Sequence, residues 1–281
     1  MKKPPGTFRI LGVGDSITFG VGVRFEKIYL QQLEQMLNQR EGTTHFEVIN
    51  MGVSGYNTSQ ELVALKEKGL QYAPDLVLVG FYWNDILGNE KPLSWEPDFV
   101  PSKPVVDETG HVLWATKHTI PKWLRDALRE WRLLYFSVER VKVAKEMLSP
   151  SDHPYKVYYR SLLSGKDDGA RESWVRTEKR LKEMVEVGEQ NGFKVVIVLF
   201  PDGAQMMDRY VRINYQPEAR QIIRRLTTPS LDLLPYFKTS YDHGVAPFLN
   251  YDNAHPSEAG HEVAARELLK LLVDAELVPS T

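Results

Sequence analysis

No cysteine occurs anywhere in the 281 residues, so disulfide cross-links and thiolate chemistry are excluded. That absence does not choose a compartment. An excess of charge of one sign is missing too: 35 lysine and arginine residues stand against 37 aspartate and glutamate, a formal net charge of −2. Such a balance offers no basic face for nucleic acid or an anionic membrane, and no like-charge block that would make a tail. No apolar run approaches the length of a membrane span, so no integral membrane segment is expected. The first residues, Met-Lys-Lys-Pro-Pro-Gly-Thr, carry charge without the apolar stretch of a signal peptide. The sequence as it stands predicts a cytoplasmic protein, and an exported one if a targeting segment was trimmed from this end. Internal repeats and low-complexity linkers are lacking as well. What remains, 42% hydrophobic and 26% charged residues, is ordinary globular composition. The length suits one large α/β domain, or one domain with a sizeable insertion.

The chain is organised around residues 8–22. Phe8 to Val13 is a short apolar run of the kind that makes a buried strand. It breaks into glycines at 12, 14, 20 and 22, with Asp15 and Ser16 between them. A serine on a turn at the end of a buried strand presents its hydroxyl at the mouth of the sheet, where open α/β sheets place their chemistry. A phosphate-binding loop would need a lysine after these glycines, and none follows. A dinucleotide fingerprint would need a third glycine where Ile17 stands. Two readings stay open on this stretch alone. One is a tight turn with a solvated serine; the other is a nucleophile, which requires a base, an orienting acid and oxyanion donors downstream.

The rest of the first third repeats a strand–turn–helix rhythm. Ile28 to Leu37 has helical spacing, and Phe46 to Asn50 reads as a second strand that ends in Asn50-Met-Gly-Val-Ser-Gly55. Thr58 or Ser59 is a candidate cap for a helix running to about Gly69. Asp75 to Tyr82 is a near-continuous apolar run suited to a central parallel strand, and it ends in Trp83-Asn84-Asp85. Strands alternating with helices imply βαβ crossovers and a parallel sheet. The rhythm returns with a helix from about Glu172 to Asn191, a strand from Phe193 to Phe200 and a helix from Pro217 to Leu226. A short edge strand at Leu231 to Leu234 and a last helix from about Ser257 to Val273 complete it.

Between them, residues 88 to about 170 are rich in proline and aromatics, including Trp95, Trp114, Trp123 and Trp131. One amphipathic helix is expected there, roughly Lys122 to Leu148, with Trp131 on its apolar stripe. The stretch reads as an insertion with its own small core; a binding platform or lid is the alternative. The whole of residues 1–281 is therefore expected to be a single domain carrying this insertion.

The base and the acid come late. In Asp252-Asn-Ala-His255-Pro256, an aspartate and a histidine three apart sit on a turn just before a helix. The carboxylate can bond one imidazole nitrogen and leave the other facing the serine. Asp-x-x-His occurs often by chance, and alone the pattern reads as a solvated helix entry. A metal set of Asp242, His243, Asp252 and His255 lacks recognisable ligand spacing. His45, His111, His118, His153, His243 and His261 show no partner pattern.

Taken together, Gly14-Asp15-Ser16-Ile17, Asn50 to Gly55, Asn84 in Trp83-Asn84-Asp85, and Asp252 with His255 resemble the four blocks of the SGNH hydrolase superfamily, the GDSL-type esterases and lipases. The resemblance covers residues 8–85 and 193–273. It implies a three-layer α/β/α, flavodoxin-like parallel sheet, with the helical, aromatic-rich insertion lying outside the family pattern. It also implies a triad of Ser16, Asp252 and His255, and an oxyanion hole made by the Ser16 and Gly55 N–H groups and the Asn84 amide. No cofactor and no metal are implied. Asp15 is expected to hold the loop rather than to do chemistry. One departure stands out: Tyr82 takes the position, two before the asparagine, where the family usually has glycine.

The expected activity is hydrolysis of carboxylic (acyl or acetyl) esters of a small molecule or carbohydrate by a serine esterase. An O-acyltransferase or acetyltransferase acting on a carbohydrate is an alternative that keeps the same site. A non-catalytic carbohydrate-binding protein on a hydrolase fold is another, against which the intact set of five residues argues.

Overall fold

Runs of valine, isoleucine and leucine build a five-stranded parallel sheet in the computed structural model, which describes residues 2–86, 105–106, 112–113, 168–206, 215–250, 252 and 254–279. Its strands are β1 (Thr7–Gly14), β2 (His45–Asn50) and β3 (Leu76–Phe81). Two further short segments, β4 (Val105–Val106) and β5 (Val112–Leu113), pair antiparallel as a separate two-stranded sheet. The sheet then continues with β6 (Lys194–Leu199) and β7 (Ser230–Asp232), in the order β2-β1-β3-β6-β7. All its pairings are parallel, with Gly12 opposite Asn50 on one side and Leu78 on the other.

Side chains leave a strand on alternate faces, so each strand feeds two cores. Ile10, Leu78 and Val196 go to one, and Leu11, Val79 and Val195 to the other. Every residue of β3 is buried, as a central strand covered on both faces requires. The first core is closed by α2 (Tyr29–Asn38), α6 (Leu234–Asp242) and α7 (Glu258–Asp274). The second is closed by α3 (Thr58–Glu67), α4 (Asp168–Asn191) and α5 (Gln216–Leu226). The remaining α1 (Ser16–Phe19) is a single turn. This division follows from crossover handedness. The step from β1 to β2 runs one way across the sheet and every later step runs the other way, so right-handed connections put α2 on one face and α3 to α5 on the opposite face. The reversal falls between β1 and β3, the place beyond the carboxyl ends of the strands where open α/β sheets bind ligands.

The architecture is the expected three-layer α/β/α sheet. Several local expectations need correction. The cap of α3 is Asn57 rather than Thr58 or Ser59: its Oδ1 accepts from the N–H groups of Ser59 and Gln60, and Gln60 Oε1 accepts from Asn57 N in return. The edge strand ends at Asp232, because Asp232 Oδ1 accepts from Leu234 N and Pro235 starts a helix there that the apolar pattern did not announce. Ser16 sits on a turn at the strand end, as expected, and that turn is one turn of helix. The expected helix at 122–148 and Trp95, Trp114, Trp123 and Trp131 lie outside the described residues. Among the described residues no helix is long and apolar enough to cross a membrane.

Candidate active site

Ser16 is delivered by the end of β1. Asp15 caps the turn that follows, its Oδ1 accepting from Ile17 N at 2.8 Å, and this fixes the serine as the first residue of α1. The segment after β2 is laced to the same turn. Asn50 Nδ2 donates to Thr18 O at 2.7 Å, Asn50 Oδ1 accepts from Gly52 N at 2.9 Å, and Val53 N donates to Gly14 O at 2.9 Å. Gly52 has to be glycine here, since a Cβ would stand 2.4 Å from Phe19 N. Gly55 is exposed and holds φ +79°, a left-handed conformation that favours glycine.

His255 and Asp252 come from the loop before α7. His255 Nε2 lies 2.8 Å from Ser16 Oγ, across 239 residues of chain. Its Nδ1 is hydrogen-bonded to Asp252 Oδ2, and Asp252 Oδ1 accepts from Ala254 N at 2.7 Å. Burial pushes the Asp252 carboxyl up. The bond to His255 and the backbone N–H groups outweigh it, leaving the group below the ordinary carboxylate range. The structure thus brings Ser16, His255 and Asp252 into one hydrogen-bonded line.

Asn84 enters from the turn Trp83–Ile86, just past β3. Its Nδ2 donates to Asp15 Oδ2 at 2.7 Å, while its Oδ1 is buried with no donor. The orientation is assigned by chemistry: reversed, the amide oxygen would face an acceptor-only carboxylate. Asp15 therefore grips both the nucleophile turn and Asn84. Fully buried, its carboxyl is pushed up by desolvation and pulled back by Ile17 N, Asn84 and the nearby His255.

Three features were missed in the sequence. Tyr82 is buried and donates through its hydroxyl to Asp202 Oδ2 at 2.6 Å, and Trp83 Nε1 donates to the same oxygen at 3.2 Å. Asp202 directly follows β6, and its place at the carboxyl end of a strand was the available signal. Behind Asn84, Asp85 and Glu61 are buried acids; Glu61 shares a face of α3 with Thr58 and Leu65, so a charge on a buried stripe was visible. His261 is buried, and its Nδ1 accepts from Tyr29 N at 3.2 Å.

Asp242 and His243, weighed with Asp252 and His255 as a metal set, stand at the end of α6. Asp242 Oδ1 accepts from Lys238 Nζ at 3.0 Å, and His243 Nδ1 contacts Thr239 O. Among the described residues no three His, Asp or Glu side chains are grouped to hold a metal ion.

Residues 13–263 match the GDSL-like lipase/acylhydrolase family. No curated protein matches in sequence. Among solved structures, TesA superposes with TM-score 0.54 at 14% identity, over 96% of this chain and 99% of its own. A catalytic mutant of Axe2, an acetylxylan esterase from Geobacillus stearothermophilus, gives 0.55 at 17% identity over 98% and 97%. A two-domain esterase, CEX, active on acetylated mannans, gives 0.54 at 14% identity; 98% of this chain covers 51% of that larger one. At such identities the superpositions speak for the fold.

Proposed function

Because the chain belongs to the GDSL-like lipase/acylhydrolase family, we propose that it hydrolyses acyl or acetyl esters with Ser16 as nucleophile, His255 as base and Asp252 as its orienting acid. The observation that carries this reading is the line from Asp252 through His255 to Ser16 Oγ, with the 2.8 Å contact at its reacting end. Ser16 Oγ attacks the ester carbonyl as its proton passes to His255 Nε2, and Asp252 steadies the imidazolium. His255 then gives that proton to the departing alcohol, leaving an acyl group on Ser16. Water activated by the same imidazole releases the acid.

The negative charge on the tetrahedral intermediate is assigned to the N–H groups of Ser16 and Gly55 and to the Asn84 amide. Asp15 takes one of the two amide hydrogens and leaves the other for the oxyanion. A donor held in place beforehand costs no reorganisation during the reaction. The esterases acting on acetylated xylan and mannan among the structural neighbours support an acetylated carbohydrate as substrate. The test is release of acetate from a chromogenic acetate ester and from acetylated xylo- and manno-oligosaccharides, comparing the protein with Ser16→Ala. No turnover by the folded protein on any of these esters would overturn the reading. Acyl transfer to an added sugar in preference to water would convert it to an O-acyltransferase.

A further inference from the structure

Glu61 has no evident reason to be buried as an ion. It is 1% exposed, and neither carboxyl oxygen has a hydrogen-bond donor from any other group. Its side chain instead meets that of Asp85, which is fully buried and accepts from Tyr82 N at 2.7 Å through Oδ2. Two ionised carboxylates repel, and neither can donate. The contact becomes a hydrogen bond when a proton sits between them. We propose that Glu61 and Asp85 share one buried proton, and that this carboxyl–carboxylate bond positions the two oxyanion donors outside the nucleophile turn.

The placement of the pair gives it that role. Glu61 is in the first turns of α3, shortly after Gly55 and the Asn57 cap, and Asp85 adjoins Asn84. A bond between them ties the segment carrying Gly55 to the turn carrying Asn84. Asp15 completes a trio, but it already has Ile17 N and Asn84 Nδ2 as donors and so holds its charge best.

Few other groups face the pair. From the nucleophile turn there is Asp15, whose charge acts on both acids, with His255 acting on Asp15 beyond it. From α2 there is the Tyr29 phenol, and from the start of α5 the Tyr215 phenol; burial pushes both up, so they stay neutral. On the α4 side Arg180 turns to Ser59 Oγ and Glu183, and Lys66 also pairs with Glu183. No cation acts on Glu61 among the described residues. Burial first, then the Asp15 charge, push Glu61 up to about 8 and Asp85 well above its ordinary range. The proton belongs to the pair rather than to either residue.

This inference rests on the oxyanion reading of Gly55 and Asn84, so its test needs a readout independent of ester hydrolysis. Infrared spectroscopy at pH 7, where exposed carboxyls are ionised, should show a protonated carboxyl band that Glu61→Gln removes. Absence of the band in the wild-type protein, or its persistence in both Glu61→Gln and Asp85→Asn, overturns the shared proton whatever the enzyme does. The pH profile then tests positioning. Wild-type kcat should fall on the alkaline side as the pair loses its proton, while KM changes less. Glu61→Gln supplies a permanent N–H donor, so its kcat should stay flat through that range. Glu61→Ala should lose about tenfold or more in kcat, with rescue by glutamine. An unchanged alkaline limb in Glu61→Gln overturns the positioning role. The band present without any turnover on esters would fault the functional reading and leave the proton pair standing.

Discussion

The two ends of the sheet handle buried charge in opposite ways. At the amino ends of the strands, Arg9 is 1% exposed and fully engaged: its Nε donates to Glu47 Oε2 at 2.7 Å, and its guanidinium also donates to Tyr72 O. Its backbone N donates to Asp75, which also pairs with Lys3 at 2.7 Å. Cations and anions there satisfy one another. At the carboxyl ends, Asp15, Glu61 and Asp85 are buried together and act chiefly on one another, with His255 near Asp15. Like charges gathered without counter-ions raise the energy of the fold, and such imbalance marks working sites more often than structural ones. The difference predicts that mutations at one end cost stability and at the other cost turnover.

The largest effect expected is at Ser16. Ser16→Ala should lower ester turnover by about 10⁴-fold or more while the melting temperature stays close to wild type, since a half-buried turn hydroxyl contributes little packing. Near wild-type turnover in a folded Ser16→Ala protein would remove this residue from the mechanism. At the opposite end, Arg9→Met should do the reverse. Breaking a buried pair by removing one partner costs about 3–5 kcal/mol; the lower figure is apt because Glu47 is 32% exposed and water shares its charge. Denaturant melts should show the loss, while kcat at a temperature where the variant is folded stays the same. A large fall in kcat for folded Arg9→Met would dissolve the contrast between the two ends.

Asn84→Ala comes next. Losing one oxyanion donor typically costs about 2.7–4 kcal/mol of barrier, roughly a hundred- to a thousandfold in kcat. KM should change less, because the charge appears only in the transition state. An effect confined to KM would make Asn84 a ground-state binding residue.

The site was legible in the sequence where chemistry is local and hidden where it is not. Ser16, Gly55 and Asn84 each follow a strand, and Asp252 and His255 precede a helix, so short patterns mark their places. The strands were legible because runs such as Leu76 to Phe81 must be buried on both faces. Tyr82 and Asp202, 120 residues apart, meet only because β3 and β6 are neighbours. Glu61 and Asp85 stand on different elements, and nothing in either stretch names the other. The cap of α3 was misplaced by one residue because Asn57, Thr58 and Ser59 are all competent caps; the reciprocal bond with Gln60 decides among them.

The smallest effect separates the acid trio from its neighbour His261, and it is read in stability against pH. His261 is buried beside Tyr29, which donates its N–H to the unprotonated Nδ1, and burial, then the charge of His255, push it down to about 3. A histidine held neutral in the folded state but titrating near 6.5 when unfolded contributes stability that is present above pH 6.5. That stability is lost as the pH falls toward 3, because the unfolded chain takes up a proton the folded one refuses. Asp252, held below its ordinary range, acts in the same direction at lower pH. Glu61 has the opposite sign: with a folded value of about 8 against 4.5, it contributes most at acid pH and loses that contribution as the pH rises through 8. The two windows overlap between about pH 4.5 and 6.5, where the slopes offset one another, so wild-type stability should be nearly level there and fall above it. His261→Gln, which can still accept from Tyr29 N, should remove the upward component below pH 6.5, worth no more than about 2 kcal/mol at pH 5, and leave stability falling with pH from there. Glu61→Gln should remove the downward component from pH 5 to 8, so that stability rises to about pH 6.5 and then levels. Melting temperatures of the three proteins from pH 5 to 9 decide it: if His261→Gln follows the wild-type profile below pH 6.5, His261 does not titrate on unfolding and the profile belongs to the carboxylates.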